Sequence, residues 1–452
     1  MSAPATLISS PDEMSASTAV SAAISSPAEA PASAAISSPA QPKAVLSPGG
    51  VEAWHVESDV VPLIAVAFTF EGGAAQDPEH HPGVAQMLAR LLDEGAGELS
   101  SDAFQERLAA RAIELSFNAG PDAIGGSLKT LVRHADEAFD LLRLALIEPR
   151  FDPDAIERVR AQTIAGLRYQ QNDPGVMATR RFFAEGFPGH PYAHPTSGTI
   201  ESVEAITRDE IVALHRSIMA RGRVKIAVVG AIDEARLASL LDRVFGALPE
   251  AGPLKPVPAT RLSGRGSRIV VDLDVPQSVI RFGTAGLSWR EPDFIPAYVL
   301  NHILGGGAFT SRLFQEVREK RGLAYSVGTS VVSYRAAAMT WGFTATKNER
   351  VAECLDVIAS EMARLRTEGP TDNELQKAKD YLTGSYALGF DSSTKIAHQL
   401  AQIAFEGLGI DYIARRNALV AAVTQEDIRR AAEYILGDER MLVVIAGRPT
   451  GL

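Results

Sequence analysis

A single cysteine, Cys354, stands in the 452 residues. No intrachain disulfide can form, so the fold owes nothing to an oxidising compartment, and a cysteine cluster for zinc or iron–sulfur is excluded. Cys354 falls in a helical run whose apolar face is Val351, Leu355, Ile358, Met362 and Leu365, which marks it as a small core residue rather than a nucleophile. Basic residues are in deficit: 44 Lys and Arg against 55 Asp and Glu, a formal net charge of −11. That balance argues against nucleic acid or an anionic membrane as the main partner. No apolar stretch approaches the length that spans a bilayer. The opening residues, MSAPATLISSPDEM, lack the basic start and apolar run of a secretory signal. A cytoplasmic location is therefore expected, and a periplasmic one only if the start site is misassigned. GxxxxGK[ST], GxSxG and CxxC are absent as well. The triplet Gly305–Gly307 has neither the lysine nor the preceding strand of a phosphate loop and reads as a backbone-permissive turn between helices.

What is present suits a folded chain of two domains of about 200 residues each. Residues 1–48 are an Ala/Ser/Pro-rich segment in which SAAISSPA occurs twice. It has too little apolar surface to offset its ordering entropy and is expected to be disordered. The breaker-rich stretch 251–267 is expected to link a first domain, 49–250, to a second, 268–452. The run Val61–Phe70 reads as a buried strand and Gly83–Leu92 as a helix. Arg268–Asp274, Ser278–Ala285, Ala324–Val332 and Met339–Thr346 read as strands that follow one another through short turns. This favours an α+β fold of mostly antiparallel sheets packed with long helices.

The two halves resemble each other. Thr207 and Thr424 each open a helix with an acid three residues on, Glu210 and Asp427, in capping-box order. Each is followed by an apolar strand, KIAVVG or LVVIAG, whose terminal glycine lies 23 positions after the threonine. The long helical runs Ile156–Arg168 and Leu375–Leu388 precede them in parallel, which points to an internal duplication.

Three blocks resemble one family. They are FEGGAAQDPEHHPGVAQMLARLLDEGAG (Phe70–Gly97), FPGHPYAHPTSGTIESVEAIT (Phe187–Thr207) and ILGGGAFTSRLFQEVREKRGLAYSV (Ile303–Val327). Together they resemble the pitrilysin and mitochondrial processing peptidase family of inverzincin metallopeptidases. The likeness runs from about Val51 to the C-terminus. It implies two homologous domains of the α+β kind already described. It also implies a helix with HxxEH, whose histidines bind zinc while the glutamate polarises water, and a distal glutamate ligand. The corresponding positions here are Gln86, Ala89 and Arg90, with the distal ligand expected near Ala165 or Gly166. None of these is a zinc ligand or a base, and HxxEH occurs nowhere in the chain. No metal is expected on it. The other histidines do not repair the loss. His80 and His81 precede the helix, His190 and His194 flank prolines, and the rest are isolated.

The family's second constellation is intact. The resemblance assigns Arg318 and Tyr325, seven positions apart, to gripping substrate carbonyls and steadying charge on the attacked oxygen. Read alone, Arg318 is a solvated helix residue and Tyr325 a strand residue. The likeness implies a non-zinc-binding subunit of a heterodimer, whose homologous HxxEH partner carries zinc and whose substrate is a peptide. Zinc metalloendopeptidase activity is then expected only in the complex and not from this chain alone. The alternative is a catalytically inert scaffold of the same fold. A self-sufficient enzyme of another chemistry has no acid, base and nucleophile set to support it.

Overall fold

The structure, a computed structural model, describes residues 41–437 and 440–452. It holds two sheets of one design. The first contains β1 (Lys43–Leu46), β2 (Glu52–Glu57), β3 (Leu63–Glu71), β4 (Glu114–Ala119), β5 (Ala123–Leu131) and β6 (Val224–Gly230), in the order β1-β2-β6-β3-β5-β4. The second contains β7 (Arg268–Asp272), β8 (Gln277–Ala285), β9 (Ala324–Ser333), β10 (Ala338–Lys347) and β11 (Leu442–Gly447), in the order β7-β11-β8-β10-β9. In both, the last strand slots between the first two of the repeat. It runs parallel to one, β2 or β7, and antiparallel to the other. All other pairings are antiparallel, so the expected sheet type and the duplication are both present in the topology.

The inserted strands explain their own sequences. Both faces of β11, and of β6 beyond the exposed Lys225, are covered, and these stretches read as continuous apolar runs rather than alternating ones. Each ends at a glycine with positive φ, 146° at Gly230 and 153° at Gly447. A Cβ there would stand 2.1 Å from the Leu63 carbonyl oxygen or 2.4 Å from the Ser278 hydroxyl, so only glycine fits. Both expected capping boxes form, with Thr207 and Glu210 satisfying each other's backbone N–H, and Thr424 and Asp427 likewise.

One face of each sheet packs against helices of its own half. On the first sheet Val66, Phe68 and Phe70 meet that half's helix layer, and on the second Ile280 and Phe282 do the same. The opposite faces are covered by exchange. The helix Ser393–Glu406, from the second half, lays Ala397, Leu400 and Ala401 on Ala65, Ala67 and Ala227 of the first sheet. The helix Pro174–Gly186, from the first half, seats Phe182 and Phe183 against Trp341, Leu442 and Val444 of the second. Each half therefore completes the core of the other.

Residues 251–264 run without helix or strand. The segment expected to be disordered through residue 48 requires a correction where it is described. Lys43–Leu46 forms edge strand β1, antiparallel to β2, because the turn Ser47–Gly50 folds it back and Val45 points into the core. Its remainder, residues 1–40, lies outside the described residues. No described helix is long and apolar enough to cross a membrane.

Candidate functional site

The helix Val84–Leu91 is anchored by Asp77. That carboxylate accepts the backbone N–H of Gly83 at 2.7 Å and of Ala85 at 2.8 Å, at the helix end that favours negative charge. Burial pushes the Asp77 carboxyl up to about 7, with the two bonds pulling the other way. Val84, Ala85, Met87, Leu88 and Leu91 enter the first core, and Ala89 is only 1 % exposed. This leaves Gln86 and Arg90, one turn apart, on the half-buried outer face.

Arg90 reaches the neighbouring helix Pro153–Gln170. Its guanidinium donates to Thr163 Oγ1 at 2.9 Å and to Gln162 Oε1 at 3.2 Å. One turn further along that helix, Ala165 and Gly166 are exposed, and a Cβ at Gly166 would meet nothing within 4 Å. The helix pair that the sequence blocks align with a zinc site thus offers a neutral amide, a methyl, a fixed cation and a bare backbone. Zinc takes imidazole, thiolate or carboxylate, and these residues do not fit it. Among the described residues no three His, Cys, Asp or Glu side chains are grouped to hold a metal ion. Several of the histidines have other partners. His81 pairs with Glu210 at 2.6 Å, and His190 bonds the Pro258 carbonyl and the Tyr192 N–H. His302 stacks on Tyr381, and burial holds its imidazole down at about 4.

Arg318 and Tyr325 meet in the second half. Arg318 lies in a π-helical turn, Phe314–Glu319, whose Phe314 and Val317 are buried. The chain then turns at Gly322 and enters β9, an outer strand, so that Tyr325 comes back beside the turn. The Arg318 guanidinium carbon sits 4.7 Å from the Phe314 ring centre and 4.6 Å from that of Tyr325. The two rings, with Glu319 Oε1 3.6 Å from the Arg318 Nε, fix the cation in place. Tyr325 is 74 % exposed. Lys320 and Arg321 are drawn elsewhere, each to Glu316 at 2.5 Å. Of the basic residues clustered there, Arg318 stacks on the tyrosine.

The family descriptions that match this chain are "Insulinase (Peptidase family M16)" over residues 56–200 and "Peptidase M16 inactive domain" over residues 205–382. The chain belongs to the M16 peptidase family. It is 27 % identical to the non-peptidase homolog YmxG of Helicobacter pylori, over 74 % of this chain and 77 % of that protein. It is also 27 % identical to an uncharacterized zinc protease of Mycobacterium leprae, over 81 % and 88 % of the two chains. Among solved structures it superposes on a peptidase M16 inactive domain from Pseudomonas fluorescens with a TM-score of 0.84 at 28 % identity, covering 91 % of this chain and 98 % of that one.

One contact between the halves is not foreseen by the sequence. The tips of two equivalent hairpins, β4–β5 and β9–β10, meet across the halves. Asp122 accepts the Tyr192 hydroxyl at 2.5 Å and the Arg335 N–H at 2.9 Å, and the Ala336 N–H donates to the same hydroxyl at 3.1 Å. The Arg335 side chain pairs with Glu71 at 3.1 Å and covers Phe405. Next to it Glu406 is buried, which pushes its carboxyl up to about 7 against the pull of Arg290 and Arg335. Burial likewise raises the Asp122 carboxyl. The opposite charges of two hairpin tips were the available signal, but nothing local pairs residues 213 positions apart.

Proposed function

We propose that this chain is the metal-free subunit of a two-chain M16 peptidase, and that it supplies Arg318 and Tyr325 to a peptide held at the zinc site of a homologous partner. The reading rests on one contrast. The helix Val84–Leu91 carries no zinc ligand or base, whereas Arg318 is held between two rings next to an exposed tyrosine. A guanidinium fixed in advance loses little conformational freedom on gripping a carbonyl. The Tyr325 O–H is open to solvent and free to donate to an oxygen that gains charge during attack. The partner provides zinc and the activated water, and this chain provides grip and charge stabilisation.

The test is reconstitution. The chain is mixed with an HxxEH-containing M16 homologue from the same organism, and peptide hydrolysis is compared for each chain alone and for the mixture. Turnover is expected only in the mixture. Tyr325→Phe keeps the ring over Arg318 and removes only the hydroxyl, so kcat should fall roughly 100-fold or more with assembly intact. Full turnover by that variant refutes the role.

A second reading, an inert scaffold, is favoured by the match to the M16 inactive domain and by the "non-peptidase" name of the Helicobacter relative. It is supported if the mixture assembles and Tyr325→Phe changes nothing.

A further inference from the structure

Arg90 differs from the arginines around it. On the adjoining helix Arg158 is paired with Glu94, and Arg160 with Glu157. Arg90 has two neutral acceptors and no carboxylate. Asp93, the acid nearest to it in sequence, is half-buried, which pushes its carboxyl up to about 6, and Glu94 beyond it is taken by Arg158 and by the Ser101 hydroxyl. In a chain of net charge −11, this half-buried cation has no ion-pair partner among the described residues. Its place in the last turn of the helix makes the charge tolerable there. The bonds to Thr163 and Gln162 do more: each uses one N–H and together they set the plane of the guanidinium. Its remaining donors have no partner among the described residues. Gln86, one turn back on the same face, adds an amide with no hydrogen-bond partner among the described residues. No side chain intrudes from Gly166.

We propose that this face, Arg90 with Gln86, is a carboxylate-binding site for a peptide. The proposal rests on the peptide-binding reading above. It deepens that reading by stating what the helix does in place of metal chemistry. A planar, fixed guanidinium matches a carboxylate by two parallel N–H bonds, and the amide of Gln86 can complete the contact. The route for a peptide lies close by. The helix Val84–Leu91 packs against β4, the outer strand of the first sheet. A peptide pairing with β4 would lie about 4.8 Å beyond it, and its backbone would be held by the strand's unpaired groups. The carboxylate is either the peptide's C-terminus or an acidic side chain.

The test uses the full chain without a partner and three acetylated hexapeptides of Val and Thr. One ends in a free carboxylate, one in an amide, and one in an amide with a single internal Glu. Binding is followed by calorimetry. The free acid or the Glu peptide should bind roughly 10-fold or more tightly than the plain amide, the scale of a hydrogen-bonded charge pair. Which of the two gains identifies the source of the carboxylate. Arg90→Gln should erase the gain and leave the plain amide's affinity unchanged, and Arg90→Lys should restore part of it. Equal affinity for all three peptides overturns the carboxylate site and leaves the peptide-binding reading standing. If no peptide binds, the carboxylate site falls, and the peptide-binding reading is decided by turnover of the reconstituted pair.

Discussion

The exchanged helices make a quantitative claim about Phe182. This side chain belongs to the first half, yet it is fully buried against the second sheet. Its ring stands edge-on to Trp341 with centres 4.7 Å apart, and its Cζ lies 2.6 Å from where a Cβ on Gly283 would be. The ring thus fills a hole that glycine leaves in β8. Phe182→Ala empties that hole and should cost about 3–5 kcal/mol, of which the edge-on contact with Trp341 supplies roughly 0.5–1.5. Gly283→Ala fills the same hole from the other side and should cost about 1–3 kcal/mol by overpacking. The two changes compete for one space, so their effects should not add. With the ring gone, the added methyl has room, and the double variant should be no worse than Phe182→Ala alone. Urea unfolding of the full chain, followed by tryptophan fluorescence and far-UV circular dichroism, measures all four proteins. The reasoning fails if Phe182→Ala costs under about 1 kcal/mol, or if the two costs simply add. It also fails if the parent chain unfolds in two separated steps, because interlocked halves should unfold together.

Two further outcomes follow from the sites. Glu406 titrates near 7 in the folded chain against an ordinary value of 4.5, so the folded state binds its proton more tightly than the unfolded state. The resulting stability is fully present below about pH 4.5 and is lost as pH rises through 7, about 3 kcal/mol in all. Glu406→Gln should flatten that part of the pH profile in urea titrations between pH 4.5 and 8, and an unchanged slope would refute it. The degenerate metal helix should be repairable. Gln86→His, Ala89→Glu, Arg90→His and Gly166→Glu together should raise zinc, measured by elemental analysis, to about one ion per chain by supplying the ligand types zinc requires. Gln86→His alone should leave the content at background.

What could be read in advance divides along a physical line. β6 and β11 were legible because a strand covered on both faces must be apolar along its covered length, which in β6 begins after Lys225, and because their closing glycines have no substitute. The capping boxes were legible because they close within four residues. The Arg318–Tyr325 pair was legible as a spacing, since one turn and the start of one strand bring the two together. The helix exchange was not. Phe182 and Phe183 declare an apolar face, but the pattern of a helix does not say which sheet that face will cover. The boundary of the first strand was missed because composition is blind to a four-residue edge that borrows its order from β2. The partners of Arg90, 72 and 73 residues away, were equally invisible. Zinc at such a helix does two things: it places positive charge in the site, and it turns bound water into hydroxide. Arg90 keeps the first and abandons the second, because a guanidinium stays protonated and has no open coordination position for water. A substrate passing this helix would still meet a cation, now one that attracts carboxylates and cannot cleave. If the chain contributes to peptide hydrolysis, the reacting water must come from elsewhere, and what remains here acts only on where the peptide lies.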